Sequence, residues 1–184
     1  MTSSLTTLIN RAKSIFIILM VVYSSTGAAN DLVEQATKFT NTIPVIVLDI
    51  ELLGDTTVKS MEERDAELMA KFSDELRQQL KQKQIYAVLD DQHALAIINK
   101  QSEAHFLHRC NGCELLVARD LGAKQVVVPW IFRMSKLVQT MYVEVRDVET
   151  GEVLIHLGRN FRGNTEDGWQ HVIDQLVNTI KENQ

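Results

Sequence analysis

The most constraining feature of this sequence is a nearly continuous apolar run at residues 43–52. A short run rich in Val and Ile predicts a β-strand, and a strand without a polar face must be covered on both sides of its sheet. Pro44 is tolerated because it stands at the start of the strand, where a missing N–H matters least. Since helices are the usual cover for both faces of a sheet, the run predicts an α/β fold.

The rest of the chain alternates between strand and helix patterns. Apolar residues at helical spacing predict helices at 60–83, from about 91 to 106, from about 110 to 121, and from about 164 to 180. Apolar or alternating runs predict strands at 85–89, 125–132, 138–148 and 153–157. Pro129 lies within the second of these runs, which predicts an edge strand or a bulge there. The order β-α-β-α-α-β-β-β-α predicts one mixed sheet with helices packed on it and a C-terminal antiparallel meander.

Residues 1–29 are predicted to be a cleaved secretory signal peptide. Arg11 and Lys13 precede an apolar run at 15–23, and small residues follow at 24–29. This order is typical of export signals, and the run is shorter than the roughly 20 residues of a membrane-spanning helix. The alternative is an uncleaved anchor. We therefore expect an N-terminal segment at 30–42, a single domain at 43–184, and no stable membrane anchor after cleavage.

Removal of the signal segment changes the charge and sets the expected compartment. The whole chain has 184 residues and a formal net charge of −5, whereas residues 30–184 number 155 and carry −7, because the segment holds two basic residues and no acidic one. An acidic protein is a poor match for nucleic acid as the main partner. In a Gram-negative bacterium the exported protein is expected in the oxidising periplasm.

Several segments resemble known α/β domains. The first strand, the helix after it and residues 86–90, together with residues 118–128 and 147–151, are similar to the N-terminal domain of TolB and to curli-secretion (CsgG-like) domains. Within that group, residues 110–113, residues 161–165 and Trp169 resemble a family of secreted proteobacterial domains of unknown function. The resemblance implies an envelope adaptor or assembly subunit with a protein partner. The family is also associated with gene neighbourhoods of quinoprotein dehydrogenases, which implies a related partner.

Cys110 and Cys113 form the sharpest local motif, and His105 and His108 precede them. In an oxidising compartment two thiols this close are expected to form a small disulfide at the start of the third helix, which is the preferred interpretation. A thiol-redox site is the second interpretation, because a helix N-terminus stabilises a thiolate. A zinc or copper site is the third, in which both thiolates and both imidazoles would be ligands.

Two other places are candidate binding sites. Arg159, Arg162 and Asn164 precede a helix start, where guanidinium and backbone N–H groups can bind an anion. The alternative is a strand end whose arginines pair with the surplus acidic residues. Trp130, beside Pro129, would serve a partner if its strand lies at an edge.

The sequence contains no nucleophile elbow, phosphate-binding loop, zinc-protease motif or dinucleotide turn. We therefore predict no catalytic residues and no cofactor. The leading interpretation is a soluble periplasmic accessory or adaptor domain that binds a protein or a small ligand, with oligomerisation left open. The alternative is a periplasmic thiol-redox or metal-binding protein centred on the cysteine pair.

Overall fold

The computed structural model describes residues 42–56, 59–104, 107, 110 and 112–183. Within them six strands form one mixed sheet, and four α-helices pack on it, which confirms the predicted α/β fold. The strands are β1 (Pro44–Val47), β2 (Glu51–Gly54), β3 (Ala87–Val88), β4 (Gln125–Arg133), β5 (Val138–Asp147) and β6 (Val153–Arg162). The helices are α1 (Glu62–Gln82), preceded by a 3-10 turn at Lys59–Met61, then α2 (Gln92–Ala104), α3 (Cys113–Asp120) and α4 (Glu166–Glu182).

The predicted signal peptide and N-terminal segment lie outside the described residues, so cleavage and localisation stay predictions. In the part of the chain that the structure describes, every helix is too short or too polar to span a bilayer.

The sheet is parallel in one half and antiparallel in the other. Its strand order is β3-β1-β4-β5-β6, and β2 continues beside β4 beyond the end of β1. The strands β1, β2 and β3 make only parallel pairs, whereas β4, β5 and β6 form the predicted antiparallel meander. The strand β4 is therefore central, with neighbours on both sides.

The predicted strand at 43–52 is interrupted, and the interruption accommodates Pro129. Val47 pairs with Val127, and Glu51 pairs with Trp130. Residues 48–50 therefore lie opposite residues 128–129 of β4, one residue more than their partner strand, as in a β-bulge. Pro129 lies opposite this break, where no parallel pairing reaches it. The expected edge position is wrong, because β4 is central. The irregularity lies instead on the strands beside the proline.

Side chains from α1 bond to the backbone at this break. The N–H of Ile50 donates to Ser73 Oγ at 2.9 Å, and Arg77 Nε donates to the carbonyl oxygen of Val47 at 3.2 Å. Arg77 also pairs with Asp49. Because a buried backbone group must find a partner, these bonds replace ladder bonds and hold α1 against the sheet.

Two cores lie on opposite faces of the sheet. The helices α1 and α4 cover one face along its length, with Phe72, Leu76 and Trp169 among the buried side chains. The helices α2 and α3 cover the other face over β1 and β4, where Ile46 and Val128 are buried. The second core does not extend over the middle of β5 and β6, so part of this face is left without a helix from the described residues.

Candidate functional site

The part of the sheet that no described helix covers carries a cluster of aromatic rings. Trp130 on β4 stacks on Tyr142 on β5, with ring centroids 5.2 Å apart and planes 14° apart. The His156 ring on β6 lies 6.0 Å from Trp130 and 5.9 Å from Tyr142. At Gly158, opposite Tyr142, an added Cβ would come within 2.8 Å of the tyrosine ring, so glycine makes room for it. Trp130 is therefore in an aromatic cluster on a central strand, and the predicted edge position is wrong.

Three exposed apolar side chains, those of Phe132, Met134 and Val138, continue the cluster toward the β4–β5 turn, and Leu137 is exposed in the turn itself. Phe132 lies two residues beyond Trp130, on the same face of β4. Phe132 and Val138 are each 42% exposed, and Met134 and Leu137 are each 68% exposed. Contiguous exposed apolar side chains are typical of interaction sites. We define the open face as the following seven residues: Trp130, Phe132, Met134, Leu137, Val138, Tyr142 and His156.

A small cavity of about 130 Å³ adjoins the open face and is lined by Glu114, Val128, Trp130, Glu144 and Arg146. We call these five residues the acidic pocket. Arg146 donates from Nη1 to Glu114 Oε1 at 3.0 Å, and from Nε and Nη2 to Glu144 Oε2 at 2.9 and 2.6 Å. The other oxygen of Glu144, Oε1, lies 2.9 Å from Nδ1 of the open-face histidine.

Glu114 is the unusual residue of the acidic pocket. Its side chain, in the first turn of α3, is only 3% exposed, and its Oε2 has no hydrogen-bond partner. A buried polar atom left without a partner costs about 1–3 kcal/mol. Two carboxylates and one guanidinium give these five residues a formal net charge of −1. The pocket can therefore accept a hydrogen-bond donor that carries positive charge.

The predicted cysteine motif lies at the start of α3. Cys110 and Cys113 form a disulfide, with Cα atoms 5.4 Å apart. His105 and His108 lie outside the described residues, so the zinc or copper alternative stays a prediction. Among the described residues no three His, Cys, Asp or Glu side chains converge as a metal site. Because thiolates are the ligands that bind such metals, that alternative requires the cysteines to be reduced.

The residues of the predicted anion site point to different places. Arg159 Nη2 donates to Thr179 Oγ1 at 3.2 Å, near the C-terminal end of α4. Arg162 is exposed at the end of β6. Residues three apart on a strand lie on opposite faces, so the two guanidinium groups are separated by the sheet. The structure therefore does not gather an anion site around Asn164.

Asn164 belongs to a buried polar network that the sequence analysis missed. Arg133, 1% exposed, donates from Nη1 and Nη2 to the two oxygens of Asp65, 4% exposed, at 2.7 and 2.6 Å. Asn164 donates to Asp65 Oδ1 at 2.7 Å and accepts from Trp169 Nε1 at 3.2 Å. Gln139 is fully buried beside Arg133. These bonds tie α1, β4 and β5 to the start of α4, so the network is structural.

Two exposed carboxylates have shifted pKa values with clear causes. The Lys71 ammonium and then the Arg64 guanidinium lower the pKa of Glu166, at the start of α4. In the β5–β6 turn, the backbone N–H of Thr150 lowers the pKa of Asp147. Both shifts favour the ionised carboxylate and concern local stability at the surface.

Residues 44–180 match the family model DUF3280, whose description is "Protein of unknown function (DUF2380)". The chain belongs to this family. The predicted membership of a family of unknown function is confirmed, and the family description transfers no activity to the site. No protein with a curated description matches the chain.

Solved structures share parts of the fold of this DUF3280 protein at low identity. The C-terminal domain of LpoB from Salmonella enterica is 14% identical, with a TM-score of 0.47 over 65% of this chain and 82% of that chain. Lipoprotein GNA1162 from Neisseria meningitidis is 10% identical, with a TM-score of 0.48 over 76% and 99%. TolB from Acinetobacter baumannii is 9% identical, with a TM-score of 0.44 over 78% and 28%. At these values the similarities do not bear on function, and the grouping with TolB and CsgG-like domains stays a prediction.

The open face and the acidic pocket of this DUF3280 protein were not recognised in the sequence. Alternation on β5 indicates that Tyr142, Glu144 and Arg146 share a face. It does not show that this face lacks a covering helix, nor that Glu114 reaches it from α3.

Proposed function

We propose that this protein is a periplasmic accessory domain that binds another envelope protein through the open face. The proposal rests mainly on the contiguous exposure of apolar side chains next to an aromatic cluster. Phe132 is 42% exposed, and Met134 and Leu137 are each 68% exposed. Trp and Tyr, which form the adjoining cluster, are enriched among the residues that carry most binding energy. The predicted signal peptide supports the periplasm as the compartment.

Charge indicates what the partner presents to this surface. The acidic pocket carries one net negative charge at one end of the open face, and the whole chain has a net charge of −5. Opposite charges on the two surfaces favour the correct partner and speed association. Val128 and Arg133, at the end of β4, are five residues apart, or about 17 Å at ~3.3 Å per residue. The partner is therefore a protein surface with apolar side chains beside a basic one.

Site-specific photo-crosslinking tests the proposal in the native host. The full chain carries p-benzoylphenylalanine at Phe132 or at Leu137, and the control carries it at Gln82, which is exposed at the end of α1 beneath the opposite face. We expect both open-face positions to link to the same envelope protein, identified by mass spectrometry, and the control to yield no such product. No product, one product shared by all three positions, or linkage to a second copy of this chain would overturn the proposal.

Affinity measurements with the purified partner complete the test. Phe132→Ser and Leu137→Ser are each expected to weaken binding at least tenfold, which corresponds to about 1.4 kcal/mol. Gln82→Ser is expected to bind as the unchanged protein does. Equal affinities for all variants would exclude the open face as the interface. Two further points remain predictions. The identity of the linked product decides whether the partner is related to quinoprotein dehydrogenases, and its mass decides the oligomeric state.

The alternative proposal is a thiol-redox or metal protein centred on the cysteine pair. It is supported by the position of Cys110 and Cys113 at the start of α3, where both are partly exposed. Intact mass spectrometry of the periplasmic protein, native and denatured, tests it. Rapid disulfide exchange with glutathione, or zinc or copper that is lost in Cys110→Ser/Cys113→Ser, would favour this alternative. A permanently oxidised pair without metal would exclude it.

A further inference from the structure

We infer that the acidic pocket receives the ammonium group of a lysine side chain presented by the partner protein. The inference rests on the proposed function, because it names the residue type that the partner brings to the open face. Its starting point is Glu114 Oε2, which is buried and has no hydrogen-bond partner. Nearly all buried polar atoms are satisfied. Glu114 lines the cavity, and none of the described residues supplies a donor to its orphaned oxygen, which points to a donor from outside them.

The size of the cavity selects the kind of occupant. Its volume is about 130 Å³, whereas pockets for whole small molecules measure about 300–1,000 Å³. A single head group on a narrow stem fits such a cavity, and a complete metabolite does not. A side chain delivered by a docked protein meets this requirement, because the rest of the partner stays on the open face.

The charges of the pocket select a cation. Arg146 is already held by both carboxylates through three hydrogen bonds, and Glu114 and Glu144 would repel an anion. One positive charge neutralises the single net negative charge of the pocket. A lysine ammonium is compact and carries three donors, whereas the planar guanidinium of arginine is larger. Val128 and Trp130 line the same cavity and provide an apolar wall for the methylene stem of lysine.

An alkylammonium titration tests the pocket without the partner. The probe is n-butylammonium chloride, added to the purified 15N-labelled exported protein, and the signals are the indole N–H groups of the two tryptophans. We expect a saturable shift of the Trp130 signal with a millimolar Kd, a much smaller change at buried Trp169, and no effect of sodium chloride at equal ionic strength. No saturable shift would mean that the pocket holds only water, which overturns the inference.

Variants connect the shift to the pocket. Glu114→Gln keeps the shape of the side chain and removes its charge, so binding of the probe should weaken at least tenfold. Glu182→Gln makes the same change at an exposed site at the end of α4 and should leave binding of the probe unchanged. Val128→Ile, which adds one methylene to the cavity wall and keeps every charge, should also weaken binding of the probe and serves if the first variant folds poorly. Equal binding by all three variants would overturn the inference.

The partner identified by crosslinking separates this inference from the proposed function. Its affinity should fall at least tenfold with Glu114→Gln, in addition to the effect of Phe132→Ser. If partner binding is lost with Phe132→Ser but not with Glu114→Gln, the inference that the acidic pocket receives a lysine is overturned, and the proposed function stays intact. Binding of n-butylammonium without any crosslinked partner would overturn both proposals, because the pocket would then serve a free amine.

Discussion

Removing the carboxylate of Asp65 tests whether the buried network holds the domain together. Asp65 accepts three hydrogen bonds, two from Arg133 and one from Asn164. In Asp65→Ala the guanidinium of Arg133, only 1% exposed, stays buried without its counter-ion. Breaking a buried ion pair in this way costs about 3–5 kcal/mol, a large part of the 5–15 kcal/mol by which domains are usually stable.

The loss is measurable by urea unfolding and by thermal melting. With an m-value of about 2 kcal/mol/M, a loss of about 4 kcal/mol lowers the urea midpoint by roughly 2 M. The same loss lowers Tm by roughly 8–16 °C for a domain of this size. The control is Glu67→Ala, which removes an exposed ion pair with Arg64 and should cost less than about 1 kcal/mol.

A double-mutant cycle identifies the cause. Arg133→Met alone leaves the Asp65 carboxylate buried and should cost about as much as Asp65→Ala. The double variant removes both charges, so its loss should fall below the sum of the single losses by at least about 2 kcal/mol. Strictly additive losses, or an Asp65→Ala variant as stable as Glu67→Ala, would refute the reasoning.

Three further predictions concern the disulfide, pH and backbone geometry. Cys110→Ser/Cys113→Ser should stay folded, and its free energy of unfolding should fall by only about 2 kcal/mol because the closed loop is short. Urea unfolding measures this change. A variant that loses binding to the partner protein without any loss of stability would contradict the prediction. The pKa of Glu166 is lowered in the folded protein, so its ionised carboxylate stabilises the fold. This stabilisation is complete above the pKa of the unfolded chain, about 4.3, and is lost as the pH falls through the lower pKa of the folded protein. The stability difference between the wild type and Glu166→Gln should therefore be present at pH 7 and shrink at pH 3; a difference that grows on acidification would contradict it. Gly54→Ala should be far more destabilising than Gly122→Ala: both glycines have positive φ, but a Cβ at Gly54 would lie 2.2 Å from a carbonyl oxygen of β4, whereas nothing lies within 4 Å at Gly122. Equal melting temperatures for the two variants would contradict this.

Local sequence patterns were sufficient for most helices and for the C-terminal meander. The helix α4 buries Trp169, Leu176 and Ile180 along one stripe, as its spacing predicts. Gly122 follows α3 with a φ of 74°, as expected for a residue that ends a helix. The break between β1 and β2 had no such signal, because it depends on the register of both strands against β4.

The buried network shows where periodicity stops being informative. Arg133 lies two residues after Ile131, on the inward face of β4, and Asp65 lies three residues before Leu68, on the inward face of α1. Each charge is therefore placed on a buried face by its own local pattern. Their pairing depends on how α1 docks across the sheet, which is a contact between residues 68 positions apart.

The sequence by itself determined which side chains share a face, and the tertiary structure decided whether that face is covered. Alternation along β5 places Tyr142, Glu144 and Arg146 together, because side-chain direction in a strand is a local property. Cover depends on the length and docking of a helix from another part of the chain. The helix α3 has eight residues and spans about 12 Å, whereas β5 and β6 have ten residues each and span about 33 Å. It therefore reaches Arg146 through Glu114 but leaves the aromatic cluster half-buried and the β4–β5 turn exposed.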